Sequence, residues 1–207
     1  ERVQAAAAEL RFLPNAQARS LRRTRTQTIG LLVSDVRNPF FADLAHAVEQ
    51  EASESKYVVL LANADESPER QDVYLDALLG QRVDGLIVVP QGLDTPGHAT
   101  AGLSRAVETG IPMVFVDRVI DELAVPTVTH DTDPGISDAV RTLSDLGHER
   151  IGIVAGPQGT STGRDRLATF RTAMDTVGLA LPDELIAVGD FRTESGAAGV
   201  DRLLDLC

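Results

Sequence analysis

Between Thr28 and Phe41 the chain reads Thr-Ile-Gly-Leu-Leu-Val-Ser-Asp-Val-Arg-Asn-Pro-Phe-Phe. Ile29–Val33 is a short apolar run that suits a strand buried on both faces. Asp35 and Asn38-Pro39 break it, and a helical pattern of Leu44, Ala45, Val48 and Ala52 follows at once. A buried strand that feeds a helix through a short polar turn opens a parallel α/β sheet. In such sheets a ligand sits beyond the carboxyl ends of the strands.

The alternation continues. Strands are predicted at 57–62, 85–89 and 112–116, with helices over 40–55, 67–79 and 103–109 between and before them. Pro68 marks a helix start, and Gly80 and Gly110 mark stops. A short extended piece, Thr127–Asp131, is the predicted crossing into a second unit, with a helix over 134–146, a strand over 150–155, a helix over 164–177, a strand over 185–188 and a helix over 194–206. The expected organisation is an arm at 1–28, a first lobe at 29–131 and a partial second lobe at 132–207. With two strands in the second lobe, both ends are expected to be missing from this sequence.

Charge separates the arm from the body. The chain carries a net charge of −12, yet residues 1–28 hold six arginines against Glu1 and Glu9, which leaves the remainder at about −16. A cationic arm on an anionic body points to a polyanion partner for the arm alone. Asn15 can cap a helix of barely two turns, Ala16–Arg22, too short to be stable undocked. Its one large apolar side chain, Leu21, stands among Arg19, Arg22, Arg23 and Arg25. That pattern makes a poor core but a plausible wedge between base pairs, with guanidinium groups on phosphates.

Several chemistries find no support. Cys207 is the single cysteine, so there is no disulfide framework. His46, His98, His130 and His148 lack ligand spacing. No stretch has the length of a membrane span, and the arginine-rich start does not resemble a signal peptide, so a cytoplasmic protein is expected. The loop Gly159–Arg164 lacks the lysine of a triphosphate cradle, and no nucleophile elbow or zinc-helix motif occurs. No cofactor is expected, and a binding protein is favoured over an enzyme. A polar or aromatic residue follows each strand: Asp35, Asn63, Asp117-Arg118, Asp190-Phe191. Carboxylates beside rings suit a polyhydroxylated ligand. The competing reading is that these aspartates cap helices and turns. Of Phe40 and Phe41, one is expected in the core and one facing the cleft.

The segments Phe12–Leu21, Thr28–Leu31 and Asn38–Phe41 resemble the lactose-repressor/galactose-repressor family of bacterial transcription regulators. Val83–Ile87, Gly110–Val114, Asp117-Arg118, Gly147–Ile151, Gly156-Pro157 and Arg166–Phe170 continue the resemblance in order. It implies a periplasmic-binding-protein-like α/β fold: two doubly wound parallel-sheet lobes, the second incomplete, preceded by the remnant of a helical DNA-binding domain. It implies a homodimer that binds operator DNA, with Asn15, Ala18, Arg19, Leu21 and Arg22 in a hinge helix. It further implies a sugar-like effector held between the lobes by Phe40, Phe41, Asp117, Arg118, Asp131, Thr160, Thr162, Arg166 and Phe191, to which the strand-end reading adds Asp35. The rival reading is a solute-binding protein of a sugar transport system, which would carry a secretion signal in place of the arm.

Overall fold

A computed structural model describes residues 25–91 and 101–206. The hinge positions Asn15, Ala18, Arg19, Leu21 and Arg22, with most of the loop after Pro90, lie outside the described residues.

Five parallel strands form the first sheet: β1 (Thr28–Val33), β2 (Val58–Asn63), β3 (Gly85–Val88), β4 (Met113–Val116) and β5 (Thr127–Val128), in the order β2-β1-β3-β4-β5. The chain starts in the middle, moves one way to β2, and then crosses β1 to continue the other way, which is the winding of a doubly wound sheet. Leu31 faces Leu61 on one side and Ile87 on the other. Successive side chains of β1 go to opposite faces. Leu32 therefore joins Leu75, Leu86, Leu103 and Phe115 beneath α2 (Pro68–Gly80) and α3 (Ala101–Glu108). Leu31 and Val33 join Phe41 and Val89 beneath α1 (Pro39–Glu54).

The helix starts follow local chemistry. Asn38 accepts a hydrogen bond from the Phe40 amide, and Pro39 occupies the first helical turn of α1. Ser67 does the same for the Arg70 amide ahead of α2. At the far end of α2 the expected stop is displaced: Gly80 stays helical, and Arg82 takes the left-handed conformation (φ 57°). Its amide bonds the Leu79 carbonyl, so the turn closes two residues later than the glycine.

The second lobe holds β6 (Ile153–Ala155) and β7 (Ile186–Val188), parallel, with Ile153 beside Ile186. Around them stand α4 (Asp133–Asp145), α5 (Ser161–Thr176) and α6 (Thr193–Leu204). Val140, Ile151, Phe170 and Met174 form its main core. Three boundaries differ from expectation. β6 is half the predicted length, and Leu185 belongs to a 3-10 turn over Asp183–Leu185. More consequentially, α5 begins at Ser161, three residues before the predicted Arg164, because the Thr160 hydroxyl accepts from the Gly163 amide at 3.1 Å. Ser161 and Thr162 thus sit in the first helical turn, aimed at the first lobe.

Gly163 makes this start possible. A Cβ there would lie 2.1 Å from the Pro157 carbonyl oxygen. Helix propensity alone favours Gly163→Ala by about 1 kcal/mol. The clash is backbone against Cβ and no rotamer relieves it, so the variant is expected to lose about 1–3 kcal/mol in urea unfolding. A stabilised Gly163→Ala protein would show that the 156–160 loop yields freely.

Candidate functional site

The strand exits of both lobes converge. At the end of β4 the chain reverses sharply: the Arg118 amide bonds the Val116 carbonyl at 2.8 Å, and Asp117 between them has φ 68°. This turn sends Asp117 toward α5 and Arg118 back into the first lobe. From the second lobe, Thr162 Oγ1 donates to the Asp117 carbonyl at 3.3 Å and approaches its Oδ2 at 3.5 Å. The Val119 amide donates to Ser161 Oγ at 3.0 Å. The first turn of α5 is therefore seated on the exit of β4.

Between them opens a cavity of about 580 Å³, lined by Asp117, His130, Asp131, Asp133, Thr162, Asp165 and Arg166 among others. The Asp117 side chain is only 7% exposed, and burial pushes its carboxyl above the usual carboxylate range against the pull of Arg118, His130 and Arg166. Arg166 also lines a second cavity of about 300 Å³, together with Gly156, Gly189 and Phe191, where its guanidinium carbon stands 6.0 Å from the Phe191 ring centre. His130 links the parts. Its ring lies 3.7 Å from Asp117 Oδ1, 2.9 Å from Arg166 Nη2 and 5.8 Å, centre to centre, from Phe40.

Of the residues singled out from sequence, Asp117, Asp131, Thr162 and Arg166 meet on the larger cavity. Phe191 lies across Arg166 on the smaller one. Phe40 is 45% exposed beside His130, whereas Phe41 is buried in the sheet core. Thr160 spends its hydroxyl on the Pro157 carbonyl and the Gly163 amide. Arg118 is 1% exposed and forks onto Glu66, with both Nη–Oε contacts at 2.9 Å. It also donates to Gln91 Oε1 at 2.8 Å. Its place is a buried strut, because the turn at Asp117 points it inward. Asp190 holds the turn before α6 by accepting from Ser195 Oγ and the Arg192 amide.

Asp35 takes part in a different arrangement. Arg37 grips it with Nε–Oδ1 at 2.9 Å and Nη2–Oδ2 at 2.7 Å, and holds its carboxyl below the usual range. Arg37 also bonds Asp65, which in turn accepts from Arg70 at 3.0 Å. From the other lobe Arg192 reaches Asp65 at 3.3 Å and Asp35 at 3.5 Å. Three guanidinium groups thus meet two carboxylates across the lobe boundary. Arg192 and Asp65 are partly exposed, so the link between lobes is worth at most about 1 kcal/mol and weakens in salt. Arg192→Ala is expected to raise the radius of gyration in low-salt X-ray scattering and to remove most of its salt dependence. A profile identical to that of the unaltered protein would dismiss the link.

His130, Asp133, Thr169 and Arg192 escape sequence reasoning. The signal available for His130 is its position next to Asp131 in the extended crossing segment.

Residues 26–206 match the family described as periplasmic binding proteins and sugar binding domain of the LacI family. The chain belongs to the LacI family. Among LacI-family relatives, the transcriptional repressor CytR of Escherichia coli K12 is 31% identical over 205 residues, 99% of this chain and 59% of CytR. The repressor PurR of Photobacterium profundum is 33% identical over 204 residues, 99% of this chain and 60% of PurR. A solved complex of the regulator CelR with cellobiose is 32% identical with a TM-score of 0.71, over 98% of this chain and 60% of that one. A LacI-family regulator from Mycobacterium smegmatis is 27% identical with a TM-score of 0.72, over 86% and 62%. The chain spans about three fifths of the length of the curated relatives it matches. The fold is periplasmic-binding-protein-like, shared with LacI-family structural neighbours. Among the described residues no helix is long and apolar enough to cross a membrane.

Proposed function

We propose that this chain is the receptor part of a DNA-binding repressor whose hold on operator DNA is set by a small polyhydroxylated effector, a sugar or a close analogue, bound between the lobes. The observation that carries the reading is the cavity at the joined strand exits, where carboxylates, threonine hydroxyls and one guanidinium from both lobes converge. Acceptors and donors in that mix suit ligand hydroxyls, and Phe40 and Phe191 at its flanks offer faces for C–H bonds. The cellobiose complex of CelR and the repressor names of CytR and PurR support the same reading. The arm at 1–28, with Asn15, Ala18, Arg19, Leu21 and Arg22 as its DNA-facing positions, gives the polyanion contact. The working form is a cytoplasmic homodimer that pairs two such arms.

Ligand favours one lobe arrangement over another only through the difference in its affinity for the two, a coupling on the order of 1–3 kcal/mol. The test has two arms. A thermal-shift screen of neutral sugars, disaccharides and nucleosides is expected to find a compound that raises the melting temperature of this chain. In the longer protein with its complete DNA-binding part, Leu21→Ala should weaken operator binding in fluorescence anisotropy without altering effector affinity. Unchanged operator affinity would favour a solute-binding module instead.

A further inference from the structure

The bond between Arg166 Nη2 and His130 Nε2, at 2.9 Å, fixes more than a contact. A guanidinium has no lone pair to offer, so the ring nitrogen must accept. Nε2 is then unprotonated, and the single ring proton of neutral His130 sits on Nδ1, on the side facing Asp117 Oδ1 at 3.7 Å. Each partner comes from a different place in the fold. Asp117 closes β4, His130 lies in the segment that crosses between lobes, Arg166 projects from α5, and Phe40 of α1 stacks obliquely on the ring at 48°.

Arg166 needs such a holder. Its Nε is buried without a hydrogen-bond partner among the described residues, and Arg166 forms part of the wall of both cavities. With Phe191 on one side, the hydrogen bond to His130 fixes which way the fork faces. We propose that His130 is a positioning residue of the site: as the Nδ1–H tautomer it orients Arg166 between the two cavities and keeps its Nε–H directed to an incoming ligand oxygen. The proposal rests on the effector reading above for the identity of what arrives, but the orientation itself is a property of the chain alone.

The test therefore uses the complete 207-residue chain without ligand. Long-range ¹H–¹⁵N correlation spectra at mildly alkaline pH are expected to show His130 as the Nδ1–H tautomer, and an Nε2–H or doubly protonated ring overturns the proposal. In His130→Ala, exchange of the Arg166 Nε–H with solvent should accelerate by about three- to tenfold, the size one hydrogen bond supplies. His130→Gln, whose amide oxygen can accept from Arg166, should restore most of the protection at an unchanged melting temperature. Equal exchange in the alanine variant, or no rescue by glutamine, also overturns it. A failed ligand screen leaves these spectra untouched, and an Nε2–H ring leaves the effector reading untouched, so the two fail separately.

Discussion

Arg118→Leu is expected to lower the unfolding free energy by about 3–5 kcal/mol, the loss typical when one partner of a buried ion pair is removed. The pair is built for that sensitivity. Arg118 is 1% exposed, its fork meets both Glu66 oxygens, and one arm also reaches Gln91 Oε1 and the Pro90 carbonyl. Ser34 donates to the same carboxylate and lies 3.2 Å from Gln91 Oε1, and the Gln91 backbone amide donates to Gln71 Oε1 at 2.7 Å. Ser34, Gln71 and Gln91 are fully buried. Removing the cation leaves the partly exposed Glu66 carboxylate facing only neutral dipoles on its inner side. The network ties the exits of β1, β2, β3 and β4 together, so the cost should appear as a lower urea midpoint for the whole first lobe. Arg118→Lys should recover little, since a single ammonium cannot fork. Pairing Arg118→Leu with Glu66→Gln should recover much of the loss, because no lone charge then remains. A single Arg118→Leu variant within about 1 kcal/mol of the unaltered protein would show that the pair contributes nothing net.

Asp117→Asn should separate stability from recognition. Burial raises the folded carboxyl above its unfolded value, so the folded state binds that proton more tightly. The stabilising contribution of the protonated form is complete below the unfolded pKa and disappears as pH rises through the folded one. At neutral pH the desolvated charge is therefore a burden, and the amide removes it. Asp117→Asn is expected to melt higher than the unaltered protein at pH 7, with the advantage shrinking as pH falls into the carboxylate range. Its affinity for the effector should drop roughly ten- to hundredfold, the range for losing a charged hydrogen-bond acceptor. The melting comparison at two pH values needs no ligand. A variant that melts lower at pH 7 would mean that Thr162, His130 and Arg166 more than compensate the buried charge.

How much of this was legible in the letters depends on the kind of force involved. Local chemistry is legible: the run Ile29–Val33 and the pairs Asn38-Pro39 and Ser67-Pro68 set β1, α1 and α2 nearly to the residue. Boundaries set by partners are less so. The start of α5 depends on a glycine that lets Pro157 approach, and the end of α2 depends on Arg82 accepting a left-handed turn. The site divides along the same line. Asp117, Asp131, Thr162 and Arg166 carry family-like spacing and converge. Phe40 and Phe41 are neighbours on a helix, about 100° apart, so one in and one out follows from geometry. Arg118 is adjacent to Asp117 in sequence, yet a single reversed turn sends the two in opposite directions, which no pattern of residue types reveals. His130 lacks metal-type spacing, and its contacts form only when α1, the β4 exit and α5 close around it.

Asp65, Glu66, Asp117 and Phe191 all adopt left-handed backbone conformations with side chains larger than glycine, and all four stand at strand exits around the cleft. Each such residue costs on the order of 1 kcal/mol or more. Directed evolution that selects on heat tolerance alone will drift toward glycine or asparagine at Asp65, Asp117 and Phe191, while Glu66 stays fixed by its ion pair with the buried Arg118. On the proposed effector reading Asp117 and Phe191 also line the cavities, so a stabilisation campaign on this scaffold has to score ligand binding alongside survival.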